Sequence, residues 1–141
     1  MTGVYLAGRY DRREELQGYA ARLAERGWSV TSRWLTGHEC ADADCTPDEL
    51  ELFAREDLVD IDRAKVFIAF TEDPGSASYQ SGGRHVELGY AMASGLDVVI
   101  IGPRENVFHW LCDDNVLWLG RMEQFETFDA FVASVGSRVW S

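Results

Sequence analysis

The sequence predicts an α/β fold: a five-stranded, mostly parallel sheet with helices on both faces, formed as a single domain over residues 1–141. Three observations predict it. Short apolar runs alternate with stretches of helical periodicity, the pattern of parallel strands joined by crossover helices. The runs at 66–70 and 98–101 are apolar at every position, as in strands buried on both faces. No repeat, low-complexity tract or linker interrupts the alternation.

In chain order, Val4-Tyr5-Leu6-Ala7 reads as a first strand closed by a turn at Gly8. Asp11 reads as the cap of the next helix, with Glu14 as its capping-box partner. Leu16, Tyr19, Ala20 and Leu23 recur at helical spacing, and Gly27 suits the position just past that helix. Residues 28–34 are expected as a second strand and 36–44 as a polar loop. Thr46-Pro47-Asp48-Glu49 is a helix start with Thr as cap, Pro first and Glu third, and this helix is expected to reach about Arg63. A third strand over 65–71 and a Ser- and Gly-rich loop over 72–83 follow. Next come a helix carrying Glu87 in about its first turn, a strand at 97–101, a loop at 102–106 and a short helix near 107–111. A fifth strand is expected at 116–119 and a closing helix over 125–135. In such sheets ligands bind beyond the carboxyl ends of the strands, so the loops 8–11, 71–83 and 102–106 are expected to form the site.

Composition limits the function. Lys and Arg number 13 against 24 Asp and Glu, a net charge of −11, which argues against sequence-independent binding of nucleic acid, because that needs a basic face. No apolar run approaches the roughly 20 residues that span a bilayer. The chain enters its first strand without a basic leader and long apolar stretch, so no signal peptide is expected. Three cysteines, an odd number, point to a reducing cytoplasm.

The stretch Ser81-Gly82-Gly83-Arg84-His85-Val86-Glu87, followed by an apolar helix ending at Gly95, reads as a loop-to-helix junction with a carboxylate at its mouth. A carboxylate there either stabilises the helix dipole or does chemistry, and a nucleophile would have to be ionised yet poorly solvated. Arg9, Arg84 and Arg104 each lie in or beside one of the three loops; converging, they would suit an anionic ligand, and apart they are surface arginines. Asp57, Asp60 and Asp62 oppose the dipole near a helix end, which makes at least one a site candidate or all three an exposed face. His85-Val86-Glu87 matches the His-x-Glu half of the zinc-deaminase signature, but the Pro-Cys-x-x-Cys half is missing and Cys112 is followed by Asp113. His38, Glu39, Cys40 and Cys45 lack an obvious fourth ligand, so a solvated acidic loop is the plainer account. There is no Gly-x-Gly-x-x-Gly fingerprint.

Taken together, these residues resemble the nucleoside 2-deoxyribosyltransferase family and the related 2′-deoxynucleoside 5′-monophosphate N-glycosidases, over most of the chain. Glu87-Leu88-Gly89-Tyr90-Ala91 is similar to the family's nucleophile segment, Asp57-Leu58-Val59-Asp60-Ile61 to its Asp-Leu-x-x-Ile segment, and Val4-Tyr5-Leu6-Ala7-Gly8 to its opening strand. Asp114-Asn115-Val116 resembles a late segment whose asparagine reaches the sugar in a neighbouring subunit's site. The resemblance implies a flavodoxin-like or Rossmann-like fold, Glu87 as nucleophile, Asp57 as the group that holds and protonates the base, and Tyr5 as the residue that orients Glu87. Gly8, Arg9, Tyr10, Gly83 and Arg84, in or beside the loops at the mouth, are the expected substrate contacts, and the resemblance adds Ser81 and Asn115. Two departures stand out. The transferases carry an acid six residues before the nucleophile, where this chain has Ser81, as the monophosphate hydrolases do; and the transferases' tail with its aromatic and carboxylate is replaced here by a helix with Trp140.

The implied reaction is a retaining displacement at C1′ of a deoxynucleoside or its 5′-monophosphate, with the sugar passed from Glu87 to a second base or to water. No metal or organic cofactor is called for. The implied partners are a small-molecule nucleoside or nucleotide and further copies of the chain, with no nucleic acid and no membrane. A catalytically idle nucleotide-binding or sensor module on the same fold is the reading from a different class.

Overall fold

The computed structural model describes residues 2–37, 44–76, 82–111 and 120–135. Five parallel strands stand in the order β2-β1-β3-β4-β5: β1 Gly3–Ala7, β2 Ser29–Val30, β3 Val66–Phe70, β4 Asp97–Ile101 and β5 Met122–Phe125. The helices are α1 Arg13–Glu25, α2 Trp34–Gly37, α3 Pro47–Asp62, α4 Gly83–Ala93 and α5 Phe128–Val135. The expected α/β architecture is therefore the observed one. Every residue of β1, β3 and β4 is buried, which is why these strands read as unbroken apolar runs.

Alternation along the strands sorts the core into two layers. Tyr5 and Phe67 are register partners on β1 and β3, and their rings stack at 5.6 Å on the face where α3 and α4 pack together. On the other face Tyr19 of α1 lies between Phe70 of β3 and Phe128 of α5, with ring centroids at 5.4 and 4.2 Å. The start of α3 is the expected capping box: Glu49 N–H donates to Thr46 Oγ1 (3.2 Å) and Thr46 N–H to Glu49 Oε1 (2.9 Å).

Four elements differ from expectation. Asp11 does not cap α1. The chain enters through a 3-10 turn, Tyr10–Arg12, because Arg12 is drawn across to Thr71 O (3.0 Å), Glu72 (2.9 Å) and Glu15 (2.9 Å) while Asp11 pairs with Arg9. The second strand is only two residues long. Beyond it side chains take over the bonding of β1: Leu6 N–H donates to Ser32 Oγ (3.1 Å) and Trp34 Nε1 to Leu6 O (2.7 Å), so Trp34 is free to open α2. The fifth strand is Met122–Phe125; the expected position, 116–119, lies outside the described residues, and the closing helix starts at Phe128 rather than 125. β5 is an edge strand with half-exposed Glu123 and Gln124, so its sequence lacks the apolar run of the inner strands.

Among the described residues no helix is long and apolar enough to cross a membrane. Cys45 is disulfide-bonded, so the cysteines are not all the free thiols that the reducing-compartment expectation assumed.

Candidate functional site

With the order 2-1-3-4-5, strand order reverses between β1 and β3, and a crevice opens beyond their carboxyl ends. The cavity there has a volume of about 650 Å³. Gly8, Arg9 and Tyr10 line it from the end of β1, Trp34 from α2, Asp57 and Leu58 from α3, and Gly82 to Arg84 with Glu87 from the start of α4. The loop after β4 contributes no lining residue among those described, in contrast to the expectation for 102–106.

Three elements bring the acid centre together. Tyr5 is fully buried in β1, and its hydroxyl donates to Glu87 Oε2. Asp57, on α3, stands within hydrogen-bonding reach of both Glu87 and Tyr5. Burial pushes the Glu87 carboxyl up to about 7, against the opposing effect of donors from Tyr5 and Asp57. Asp57 is pushed up to about 8, first by burial and then by repulsion from Glu87, Asp60 and Glu56. Burial, then the charges of Glu87, Asp57 and Asp60, hold the Tyr5 hydroxyl well above its ordinary value, so it stays a donor. Between pH of about 7 and about 8 the pair favours an ionised Glu87 that accepts from Tyr5 and from a protonated Asp57. It has the parts of a nucleophile paired with an acid.

Glu87 is not in the first helical turn. α4 begins at Gly83 after Gly82, whose φ of +78° favours glycine, so Glu87 is the fifth helical residue. The dipole's effect fades within the first turn, so burial and hydrogen bonds govern this carboxyl.

The other acids separate by partner. Asp60 is fully buried and binds Arg33 through its N–H and Nε, both at 2.9 Å, and Asp62 accepts from Tyr90 OH at 2.9 Å. Only Asp57 of the three lines the cavity. Of the three arginines, Arg9 and Arg84 line the cavity and Arg104 does not. Arg9 lies at the mouth, paired with Asp11 at 2.8 Å and 3.7 Å from Glu72. Arg84 lines the cavity but its guanidinium is held by Glu105 at 2.5 and 2.9 Å. Arg104 reaches His109 O at 2.9 Å and covers the Trp110 ring, outside the cavity lining. Ser81 and Asn115 lie outside the described residues, as do His38, Glu39, Cys40, Cys112 and Trp140.

His85 and Glu87 face different ways, because residues two apart on a helix do not share a side. His85 Nδ1 is 3.1 Å from Asn106 Nδ2, while Glu87 meets Tyr5, so the two side chains have different partners. Among the described residues no group of three or more His, Cys, Asp or Glu could hold a metal ion. Sequence reasoning missed Trp34, which reads as the end of a strand, and Arg12, which ties the β1 and β3 loops together. Neither carries a local signal, since each is placed by partners distant in sequence.

No protein-family model and no curated protein matches this sequence. Comparison with solved structures does find matches. A 2-deoxyribosyltransferase from Bacillus psychrosaccharolyticus matches with a TM-score of 0.65 at 17% identity, covering 92% of this chain and 90% of that one. A CMP N-glycosidase from Clostridium botulinum matches with a TM-score of 0.56 at 18% identity, covering 97% and 100%. A 2-deoxyribosyltransferase from Leishmania mexicana matches with a TM-score of 0.51 at 18% identity, covering 99% and 100%. At such identities the likeness establishes a shared fold over nearly the whole length of each chain.

Proposed function

We propose that this chain cleaves the N-glycosidic bond of nucleosides or their 5′-monophosphates, 2′-deoxy sugars foremost, through a covalent glycosyl–Glu87 intermediate. The observation that carries the reading is the buried Tyr5–Glu87 hydrogen bond beside Asp57, facing a cavity at the strand-order switch. Glu87 Oε attacks C1′ as the C1′–N bond breaks through an oxocarbenium-like transition state. The base leaves with the bonding electrons and takes the Asp57 proton. A second base or water then attacks C1′, returns its proton to Asp57 and frees Glu87. Tyr5 holds the carboxylate in line. The fold shared with two 2-deoxyribosyltransferases and a CMP N-glycosidase supports this class of reaction.

Hydrolysis of 5′-monophosphates is the second reading, favoured by Ser81 and by the likeness to the CMP N-glycosidase. The sugar and phosphate contacts of either reading fall to Gly8, Arg9, Tyr10 and Gly83 at the cavity and to Ser81 and Asn115 by the sequence resemblance. Association of copies of the chain belongs to the same proposal, supported by the exposed apolar side chains Val86, Val107, Phe108 and Trp110. So does action in the cytoplasm, where free nucleotides are held; the disulfide at Cys45 does not follow from that location.

The test incubates the protein with each deoxynucleoside and nucleoside, and with each 5′-monophosphate, and looks for free base by chromatography. Release without an added base marks a hydrolase, and exchange only with an added base marks a transferase. Glu87→Ala is expected to lose at least about 10³-fold in rate. Near-normal activity in that variant sinks the covalent mechanism, and no base from any substrate leaves the idle binding module.

A further inference from the structure

We propose that Glu105 is a positioning residue for Glu87, acting through Arg84 at the start of α4. This rests on the role of Glu87 proposed above. Arg84 is the second residue of α4, and Glu87 follows three positions later. Arg84 reaches away from the sheet centre to the loop after β4, where its two terminal nitrogens meet the two oxygens of Glu105 at 2.5 and 2.9 Å. The side chains are 9% and 0% exposed. His85 reaches the same loop at Asn106.

That loop is itself fixed. Glu105 N–H donates to His109 Nδ1 (2.9 Å), and Phe108 N–H donates to Asn106 Oδ1 (2.9 Å). The Thr71 hydroxyl, at the end of β3, donates to Pro103 O (2.6 Å). The N-terminal end of α4, from Arg84 to Glu87, is therefore held from two sides. Tyr5 of β1 grips Glu87, and the post-β4 loop grips Arg84 and His85. A buried ion pair is a poor device for stability alone, since apolar side chains of the same volume do as well or better. What a two-point guanidinium–carboxylate pair supplies is a single geometry. In-line attack needs that geometry, because displacement of a reacting group by about 1 Å costs on the order of 100-fold in rate.

The experiment compares Glu105→Gln, which keeps size but not charge, and Arg84→Lys, which keeps charge but not the fork, with the parent chain. Each is checked for parent-like circular dichroism at a temperature well below its Tm. Two readouts follow: kcat and KM for base release, and the titration of the Glu87 carboxyl by carbon NMR, its signal identified by its loss in Glu87→Gln. Positioning predicts that kcat falls by about 10- to 100-fold with KM within about threefold. It also predicts that the Glu87 titration moves down toward an ordinary glutamate as the carboxyl slips from its buried place. Arg84→Lys carries the test if Glu105→Gln does not fold. If the folded variants lose only Tm, keeping kcat and the Glu87 titration, the ion pair is structural and the proposal falls. If the parent releases no base at all, the glycosidase reading falls instead, and the titration alone decides whether Glu105 positions Glu87.

Discussion

In the proposed mechanism Glu87 and Asp57 carry opposite protonation duties, although both are carboxyls in one cavity. Burial raises both, and the difference between them comes from neighbours: Glu87 accepts from Tyr5 and Asp57, whereas Asp57 faces the negative charges of Glu87, Asp60 and Glu56. The consequence is a bell-shaped pH profile. Base release is expected to rise as Glu87 ionises through about 7 and to fall as Asp57 loses its proton through about 8. Asp57→Asn should remove the alkaline limb and lower the rate by about 10²- to 10⁴-fold, since an amide cannot deliver the proton. An unchanged alkaline limb in that variant would assign the acid elsewhere. At this scale the sequence marks Glu87 well, because glycines, a carboxylate and an apolar helix in succession are a local pattern. It does not separate Asp57 from Asp60 and Asp62. The three share one helix segment, and only packing turns one to Arg33, one to Tyr90 and one to the cavity.

At the scale of elements, α4 carries Glu87, the proposed nucleophile, and the loop after β4 meets Arg84 and His85 at the start of that helix. That loop depends on Gly102, which has φ of +113° and sits where a Cβ would stand 2.6 Å from Thr71 Oγ1. Thr71 is not free to yield, because its hydroxyl bonds Pro103 O. Gly102→Ala is expected to cost on the order of 2 kcal/mol through backbone strain and the displaced threonine. Thermal unfolding would register this as a fall of several degrees in Tm, and a parent-like Tm would refute it. Inner strands and capped helices are legible because their cues are local: the apolar runs of β3 and β4, and Thr46 with Glu49 ahead of α3. The short β2 and the polar edge strand β5 are not. Side chains from 32 and 34 replace the ladder in the first case, and one solvated flank hides the pattern in the second.

For the whole molecule, a site built from buried carboxyls sets the pH dependence of stability. Asp57 and Glu87 are raised above their unfolded values near 4, so the folded chain binds more protons than the unfolded chain across the window from about pH 4 to about 8. Their contribution to stability is complete below that window and is lost as pH rises through it. Asp57→Asn should therefore gain stability relative to the parent as pH rises from 5 to 8.5, by up to a few kcal/mol. Denaturant unfolding at the two pH values measures this, and a pH-independent difference would show that Asp57 is not held protonated by its site. What the sequence by itself determined is the alternation of strands and helices, the double-sided burial of the central strands and the carboxylate at a helix mouth, all of which rest on periodicity and near neighbours. Only the tertiary structure decided the strand order that opens the crevice, the choice of Asp57 among three acids and the capture of Arg84 by Glu105. Each of these depends on groups far apart in the chain, whose meeting is set by burial and packing rather than by local spacing.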